Sequence, residues 1–173
     1  MRQLEGQGLV SIQRFRGASI CHLTRAEIVD LLEVLEQLVI LAARLATQSA
    51  TSKTPLLQIA VQLGDLRPSV SAKSRIGPSG HALRNVFYVR LLEASGNSEL
   101  IRAVPFIRAE LLRAQVAPHL AIEHPFAHAA DYLAIAQAIV DARADAAAEA
   151  VSAHFQATRI FLSAMPDHIF APT

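Results

Sequence analysis

Three histidines in the second half of the chain are close enough in sequence to bind one metal ion. They are His119, His124 and His128, and the last two are four residues apart. In a helix that spacing places both imidazoles on one face, and imidazole is a common ligand of zinc, nickel and copper. Pro125 lies between them, however, and proline interrupts a helix. The alternative, that all three are exposed residues of a connector, is the interpretation that the sequence favours.

The sequence contains no signature of an enzyme. Cys21, the single cysteine, has no histidine or asparagine arranged beside it as a catalytic thiol requires. Residues 77–81 read Gly-Pro-Ser-Gly-His, but they lack the strand-turn-helix context that a nucleophilic serine needs. Phosphate loops, dinucleotide fingerprints and metalloprotease helices are also absent from the sequence. We therefore expect a protein that is not an enzyme.

A basic turn lies near the N-terminus. Residues 9–13 and 18–22 are short β-prone runs, and the turn that joins them contains Arg14, Arg16 and Gly17. Glycine accepts a positive φ, which a tight turn between two strands requires. The pattern predicts a small hairpin with a basic tip.

Composition limits the possible partners and compartments. There are 16 basic and 15 acidic residues, so the whole chain has no charge excess that would attract nucleic acid. The longest apolar stretch, residues 38–43, is far shorter than the roughly 20 residues of a membrane span, and the N-terminus lacks the apolar run of a secretory signal. A single cysteine excludes an internal disulfide. We expect a cytoplasmic protein without membrane segments.

The clearest element is a long helix that starts after the hairpin. Thr24 and Glu27 have the spacing of a capping box, in which each side chain binds the backbone N–H of the other residue. Apolar residues then recur at steps of three and four: Leu31, Leu32, Leu35, Leu38, Val39, Ala42 and Leu45. This period is typical of one buried helical face and predicts a helix over about residues 27–47.

The rest of the chain is also predicted to be helical, since Ala and Leu supply much of its apolar content. Asn97 is a good N-cap, and Pro166 is expected to follow the last helix. The five further helices are expected at residues 56–66, 81–94, 99–115, 127–142 and 145–164. The fold class is therefore all-α, an antiparallel six-helix bundle preceded by a short β-hairpin.

Two parts of the sequence resemble a known family. Residues 2–10, followed by Arg16, Gly17 and Ala18, resemble the end of the recognition helix and the wing of a GntR-type winged helix. An ordered series in the helices resembles the FCD effector domain of GntR-family transcription regulators: residues 32–34, 42–43, Phe87, residues 93–97, Ile135, residues 138–139 and His154.

The resemblance implies two parts. Residues 1–23 would be a remnant of a winged helix, and residues 24–173 an effector-binding and dimerisation domain. In an intact winged helix, Arg14, Arg16 and Gly17 would contact phosphates and the minor groove. The two preceding helices and most of the recognition helix are missing from the sequence, so we expect specific DNA binding only in a longer form. The alternative for the tip is a solvated basic turn.

The resemblance also implies a metal site, which we expect to be lost. FCD domains commonly hold a divalent ion through an Asp and a His four residues apart, with one His from each of the last two helices. The corresponding positions are Arg84, Tyr88, Tyr132 and His154. Only His154 retains a ligand, and Arg84 places a positive charge where the ion would lie. We therefore expect no cofactor.

These four residues are instead expected to line a ligand pocket. Arg84 would then replace the metal as the partner of a small carboxylate, which a guanidinium binds through two hydrogen bonds. Leu35 and Val39 stand where many relatives have an Arg and a Glu, so the pocket is expected to be less polar on that side. The alternative is a closed bundle in which the two tyrosines fill the space and Arg84 points into solvent.

The function implied is that of a ligand-responsive transcription regulator that forms a homodimer and binds a small-molecule effector. Two alternatives remain open at this point. One is a dimerisation module without a ligand, and the other is a small metal-binding helical-bundle protein.

Overall fold

The computed structural model describes residues 10–13, 17–65, 78–119 and 129–172. Within them, two strands precede seven α-helices: β1 (Val10–Gln13), β2 (Gly17–Ile20), α1 (Arg25–Gln48), α2 (Thr54–Gly64), α3 (Pro78–Ser95), α4 (Ser98–Ala103), α5 (Phe106–Val116), α6 (Ala129–Val140) and α7 (Ala144–Ser163). Short 3-10 turns follow α5 at Ala117–His119 and α7 at Asp167–Ile169. The predicted all-α bundle with a leading hairpin is confirmed.

The hairpin is antiparallel. Val10 lies opposite Ile20, and Gln13 lies opposite Gly17, which is the first residue of β2. The residues between the strands, including Arg14 and Arg16 of the predicted tip, lie outside the described residues.

Helix α1 is the central element of the bundle. Its capping box forms as predicted: the Glu27 N–H donates to Thr24 Oγ1 at 3.2 Å, and the Thr24 N–H donates to Glu27 Oε2 at 2.9 Å. The second bond, which favours the charged carboxylate, lowers the pKa of Glu27 below its usual value. The helix packs most closely against α7 and α3, and it also contacts α4, α5 and α6.

One helix differs from the prediction. The fourth predicted helix is divided into α4 and α5 by Val104 and Pro105. Proline has no N–H to donate, and it forces the preceding residue out of the helical region. Val104 accordingly has φ −69° and ψ 122°. The division gives seven helices in the described residues where six were expected.

The remaining helices complete one apolar core. Helix α2 packs against α3 and α6, and α6 packs against α7. Phe87 on α3 is fully buried at its centre, together with Leu91, Ile135, Ile139 and Val151. Among the described residues, no helix has both the length and the apolar character needed to cross a membrane.

Candidate effector pocket

A cavity of about 150 Å³ lies inside the bundle, between α1, α3, α5, α6 and α7. Most of its wall is apolar, formed by Leu32, Leu35, Val39, Leu91, Leu92, Val104, Phe106, Ala109, Leu112, Val116, Phe155, Phe161 and Leu162. The polar residues of the wall are Arg84, Tyr88, Arg113, Tyr132, His154 and Thr158.

The four residues aligned with the family's metal ligands all line this cavity: Arg84, Tyr88, Tyr132 and His154. The two tyrosines form part of the wall and leave the cavity open. Arg84 lines the cavity and is half-buried. Leu35 and Val39 line the cavity from α1 and make that side apolar, as the sequence led us to expect.

His154 is the centre of a polar chain that crosses three helices. It is 5% exposed, and its Nδ1 lies 3.0 Å from Asp131 Oδ2. Its Nε2 lies 3.1 Å from the hydroxyl of Tyr88. Because a carboxylate only accepts hydrogen bonds, Nδ1 donates to Asp131, and Nε2 pairs with the Tyr88 hydroxyl. These two hydrogen bonds hold the His154 imidazole and the Tyr88 phenol in place.

The aromatic rings beside His154 hold one another in place. Phe87 meets Tyr132 edge to face at 4.9 Å between ring centroids and Tyr88 at 5.7 Å. Burial raises the pKa of the Tyr88 phenol well above its usual value, and the neighbouring Tyr132 adds to this effect. Burial also raises the pKa of Tyr132, against smaller opposing effects of Arg84 and Arg113. Both phenols therefore remain neutral hydrogen-bonding groups at physiological pH.

Two arginines are among the residues that line the cavity. Arg84 and Arg113 both line it, and none of the described lining residues is acidic. The Arg113 guanidinium lies 5.7 Å from the centroid of the Tyr88 ring, within cation–π distance, and its Nη1 lies 2.5 Å from Glu110 Oε1. Two guanidiniums in a mostly apolar cavity favour a ligand that carries negative charge.

The residues at the family's metal position do not fit a divalent cation. The Tyr88 hydroxyl lies 3.1 Å from Nε2 of His154, and Asp131 binds Nδ1, so both ring nitrogens have a partner. The remaining aligned positions supply a guanidinium and a second neutral phenol, which are poor ligands for zinc or nickel. Within the described ranges, no group of three His, Cys, Asp or Glu side chains is arranged to hold a metal ion. The absence of a cofactor stays a prediction.

The other candidates from the sequence fall largely outside the described residues. This applies to His124 and His128 of the histidine cluster and to Arg14 and Arg16 of the hairpin tip. His119 is described: it is exposed, and its ring lies edge-on to that of His168 at 5.7 Å.

Sequence reasoning missed two residues of the site. Asp131 has no local sequence signal for this role, because its contact with His154 depends on how α6 packs on α7. Arg113 had a detectable signal, because it shares a helical face with Ala109, Leu112 and Val116, which are buried. A charged residue on an apolar face is a candidate for a function inside the fold.

Solved structures of other proteins have similar folds. The chain is similar to E. coli McbR/YncC, with a TM-score of 0.73 and 10% identity, over 94% of this chain and 76% of that one. It is also similar to a transcriptional regulator from Pseudomonas syringae pv. tomato str. DC3000 that is described as a GntR family member. That match has a TM-score of 0.53 and 21% identity, over 95% of this chain and 69% of the other. At these identities the likeness establishes a shared fold.

Sequence comparison gives the family. No curated protein matches the chain. Residues 27–157, however, match the FCD domain, a span that covers most of the chain from the start of α1 to near the end of α7. The match confirms the resemblance of the helices to the FCD domain, and the chain belongs to the FCD domain family.

Proposed function

We propose that this chain is the effector-binding and dimerisation domain of a ligand-responsive transcription regulator of the GntR family, and that its effector is a small carboxylate with an apolar body. The FCD domain is a regulatory and non-enzymatic family, so the chain is not an enzyme. The observation that carries the proposal is the cavity, which combines apolar walls with two guanidiniums.

The size of the cavity limits the effector. An apolar protein cavity of about 150 Å³ accommodates a molecule the size of benzene. Here the apolar residues of α1, α5 and α7 would enclose such a body, while Arg84 and Arg113 would bind its carboxylate. The Tyr88 and Tyr132 hydroxyls supply neutral hydrogen-bonding groups at the same wall, and His154 and Asp131 hold Tyr88 in position.

The regulatory assignment is supported by the family and by the related fold of a protein described as a transcriptional regulator. We propose residues 1–23 as the remnant of a winged helix and residues 24–173 as the effector-binding and dimerisation domain. Such a protein would act in the cytoplasm as a homodimer. Specific DNA binding is proposed for a complete winged helix, in which Arg14, Arg16 and Gly17 would contact the DNA backbone.

The test compares carboxylates with neutral molecules of the same shape. Benzoate is matched with benzamide, and hexanoate with hexanamide, in thermal-unfolding experiments on the full chain. A ligand at a hundredfold excess over its Kd is expected to raise the Tm by about 5–10 °C in a chain of this size. We expect the shift with a carboxylate and a much smaller one with its amide.

The variants Arg84→Ala and Arg113→Ala locate the binding site, and each is expected to reduce the shift. Arg102→Ala is the matched control, because Arg102 is exposed on α4 and pairs with Glu99. A carboxylate shift that is equal in the wild type and in both cavity variants would contradict the proposal. If the protein forms a dimer and neither benzoate nor hexanoate raises its Tm, the result would favour the alternative of a dimerisation module without a ligand.

A further inference from the structure

A buried glutamine holds the segment that connects the hairpin to the bundle. Residues 21–23, which we call the linker, join β2 to Thr24, the N-cap of α1. The Leu23 N–H donates to Gln115 Oε1 at 2.8 Å, and Gln115 Nε2 donates to the Leu23 carbonyl at 3.0 Å. The side chain of Gln115 therefore pairs with Leu23 as a neighbouring strand would.

The same glutamine also holds the C-terminal segment. Gln115 Nε2 donates to the Ile169 carbonyl at 2.9 Å, and the Ala171 N–H donates to the Leu23 carbonyl at 3.1 Å. Leu23 is 1% exposed and Gln115 is 7% exposed, so water does not compete well for these bonds. The linker, the C-terminal segment and the end of α5 thus form one buried polar junction.

Helix α5 also forms part of the cavity wall. Leu112, Arg113 and Val116 line the cavity, and Gln115 lies between them in sequence. A shift of α5 caused by an occupant of the cavity would therefore displace the side chain that holds Leu23.

A second connection runs through the end of α7. The Leu162 side chain lines the cavity, and its carbonyl accepts a hydrogen bond from Arg25 Nη1 at 3.1 Å. Arg25 also binds Asp167 at 2.8 Å and lies over the Phe170 ring at 4.1 Å. Arg25 begins α1, two residues after Leu23, so this contact reaches the same junction as Gln115.

We infer that Gln115 is the positioning residue through which occupancy of the cavity is coupled to the linker, and so to the hairpin. The inference rests on the proposed function for its natural ligand, although the coupling itself does not require a carboxylate. If α5 has two positions, a ligand that binds one of them more tightly shifts the population of linker conformations. The size of the shift is set by the difference in affinity between the two positions of α5. By thermodynamic linkage, restraining the linker in one conformation changes the affinity of the cavity for its ligand by the same factor by which the ligand favours that conformation.

The test uses amide exchange, measured by NMR on the full chain, with two ways of filling the cavity. One is the variant Ala109→Leu, which adds volume to the cavity wall on α5 without any ligand. The other is benzoate. We expect each to change the exchange rate of the Leu23 amide about fivefold or more, the lower end of typical coupling between two sites. In a Gln115→Met background this effect should disappear.

Control variants separate coupling from simple loss of stability. Gln137→Met is the matched control, because Gln137 is exposed on α6 and donates to Asp141 within one helical turn. It should leave the response of Leu23 intact. Should Gln115→Met fail to fold, Gln115→Glu retains the acceptor for the Leu23 N–H and loses the donor to both carbonyls. We expect it to weaken the response.

The two ways of filling the cavity, Ala109→Leu and benzoate, distinguish failure of the coupling from failure of the proposed function. If Ala109→Leu has the same effect on Leu23 with and without Gln115, or no effect in either background, the coupling is wrong. If benzoate raises the Tm but leaves Leu23 unchanged, the coupling is wrong and the ligand site stands. If Ala109→Leu affects Leu23 through Gln115 and neither benzoate nor hexanoate binds, the coupling stands and the carboxylate proposal fails.

Discussion

Two polar clusters interrupt the apolar core of this bundle, and they are built from different partners. Around Gln115, one side chain is paired with main-chain atoms of Leu23 and Ile169. Around His154, side chains are paired with other side chains, Tyr88 and Asp131, next to an open cavity. A side chain bonded to main-chain atoms ties the position of one segment to that of another, whereas paired side chains can exchange one partner for a ligand. The first cluster therefore joins separate segments of the chain, and the second leaves groups for recognition.

The largest effect is expected at the first cluster. The substitution Gln115→Leu leaves the buried Leu23 N–H and Ile169 carbonyl without this partner, and we expect a loss of about 2–4 kcal/mol in the free energy of unfolding. Denaturant unfolding measures it. The control Gln137→Leu, at an exposed position of α6, should stay within about 0.5 kcal/mol of the wild type. Equal losses in the two variants would show that the junction has no special role.

A smaller loss is expected at the second cluster. Asp131→Ala removes the acceptor of the His154 Nδ1–H, but the Asp131 side chain is 32% exposed and water can take its place. We expect a loss of about 1–2 kcal/mol in the same unfolding experiment. The matched control is Asp30→Ala, at an exposed position of α1. The comparison between the clusters fails if Asp131→Ala costs more than Gln115→Leu.

The loss of stability at high pH distinguishes the two clusters, because only the cluster around His154 contains phenols. The pKa of Tyr88 and of Tyr132 is raised in the folded chain, so the unfolded chain releases these protons first. The contribution of the two protonated phenols to the free energy of unfolding is fully present below the usual tyrosine pKa of about 10. Above that pH it falls by about 1.4 kcal/mol per pH unit for each phenol. These are the only two tyrosines of the chain.

Denaturant unfolding followed as a function of pH gives the measurement. The double variant Tyr88→Phe with Tyr132→Phe should lose the part of the slope that begins near pH 10. Ionisation of both phenols in the folded wild type at their usual pKa would be inconsistent with their burial at the cavity wall.

The smallest effect is expected from metal ions. Because the Tyr88 hydroxyl lies against the His154 imidazole, protein incubated with zinc or nickel and then desalted should retain far less than one equivalent by elemental analysis. The variant His154→Ala should give the same value. One equivalent retained by the wild type and lost in His154→Ala would restore the family's metal site.

Much of the fold could be predicted from local signals. The capping box of Thr24 and Glu27 and the apolar period of α1 predicted the central helix within two residues at its start and one at its end. Asn97 caps α4 as predicted, by accepting from the Glu99 N–H. The division at Pro105 was visible in principle, since proline inside a helical pattern interrupts it.

The site was only partly predictable. The family alignment brought Arg84, Tyr88, Tyr132 and His154 to one cavity, although their role in binding stays a proposal. The two contacts that distinguish the clusters were beyond sequence reasoning. Asp131 and His154 are 23 residues apart, and Gln115 and Leu23 are 92 apart. Such pairs depend on how the helices pack, and the residues around Asp131 and Gln115 in the sequence do not indicate which residue each of them contacts.

The central claim is that the cavity binds a small carboxylate through its guanidiniums, and a crystal structure of the complex tests it most directly. Crystals would be grown with whichever of benzoate and hexanoate gives the larger thermal shift. We expect ligand density inside the cavity, with carboxylate oxygens at hydrogen-bonding distance from Arg84 or Arg113. A cavity that remains without ligand at saturating concentration, or a ligand bound elsewhere on the protein, would contradict it.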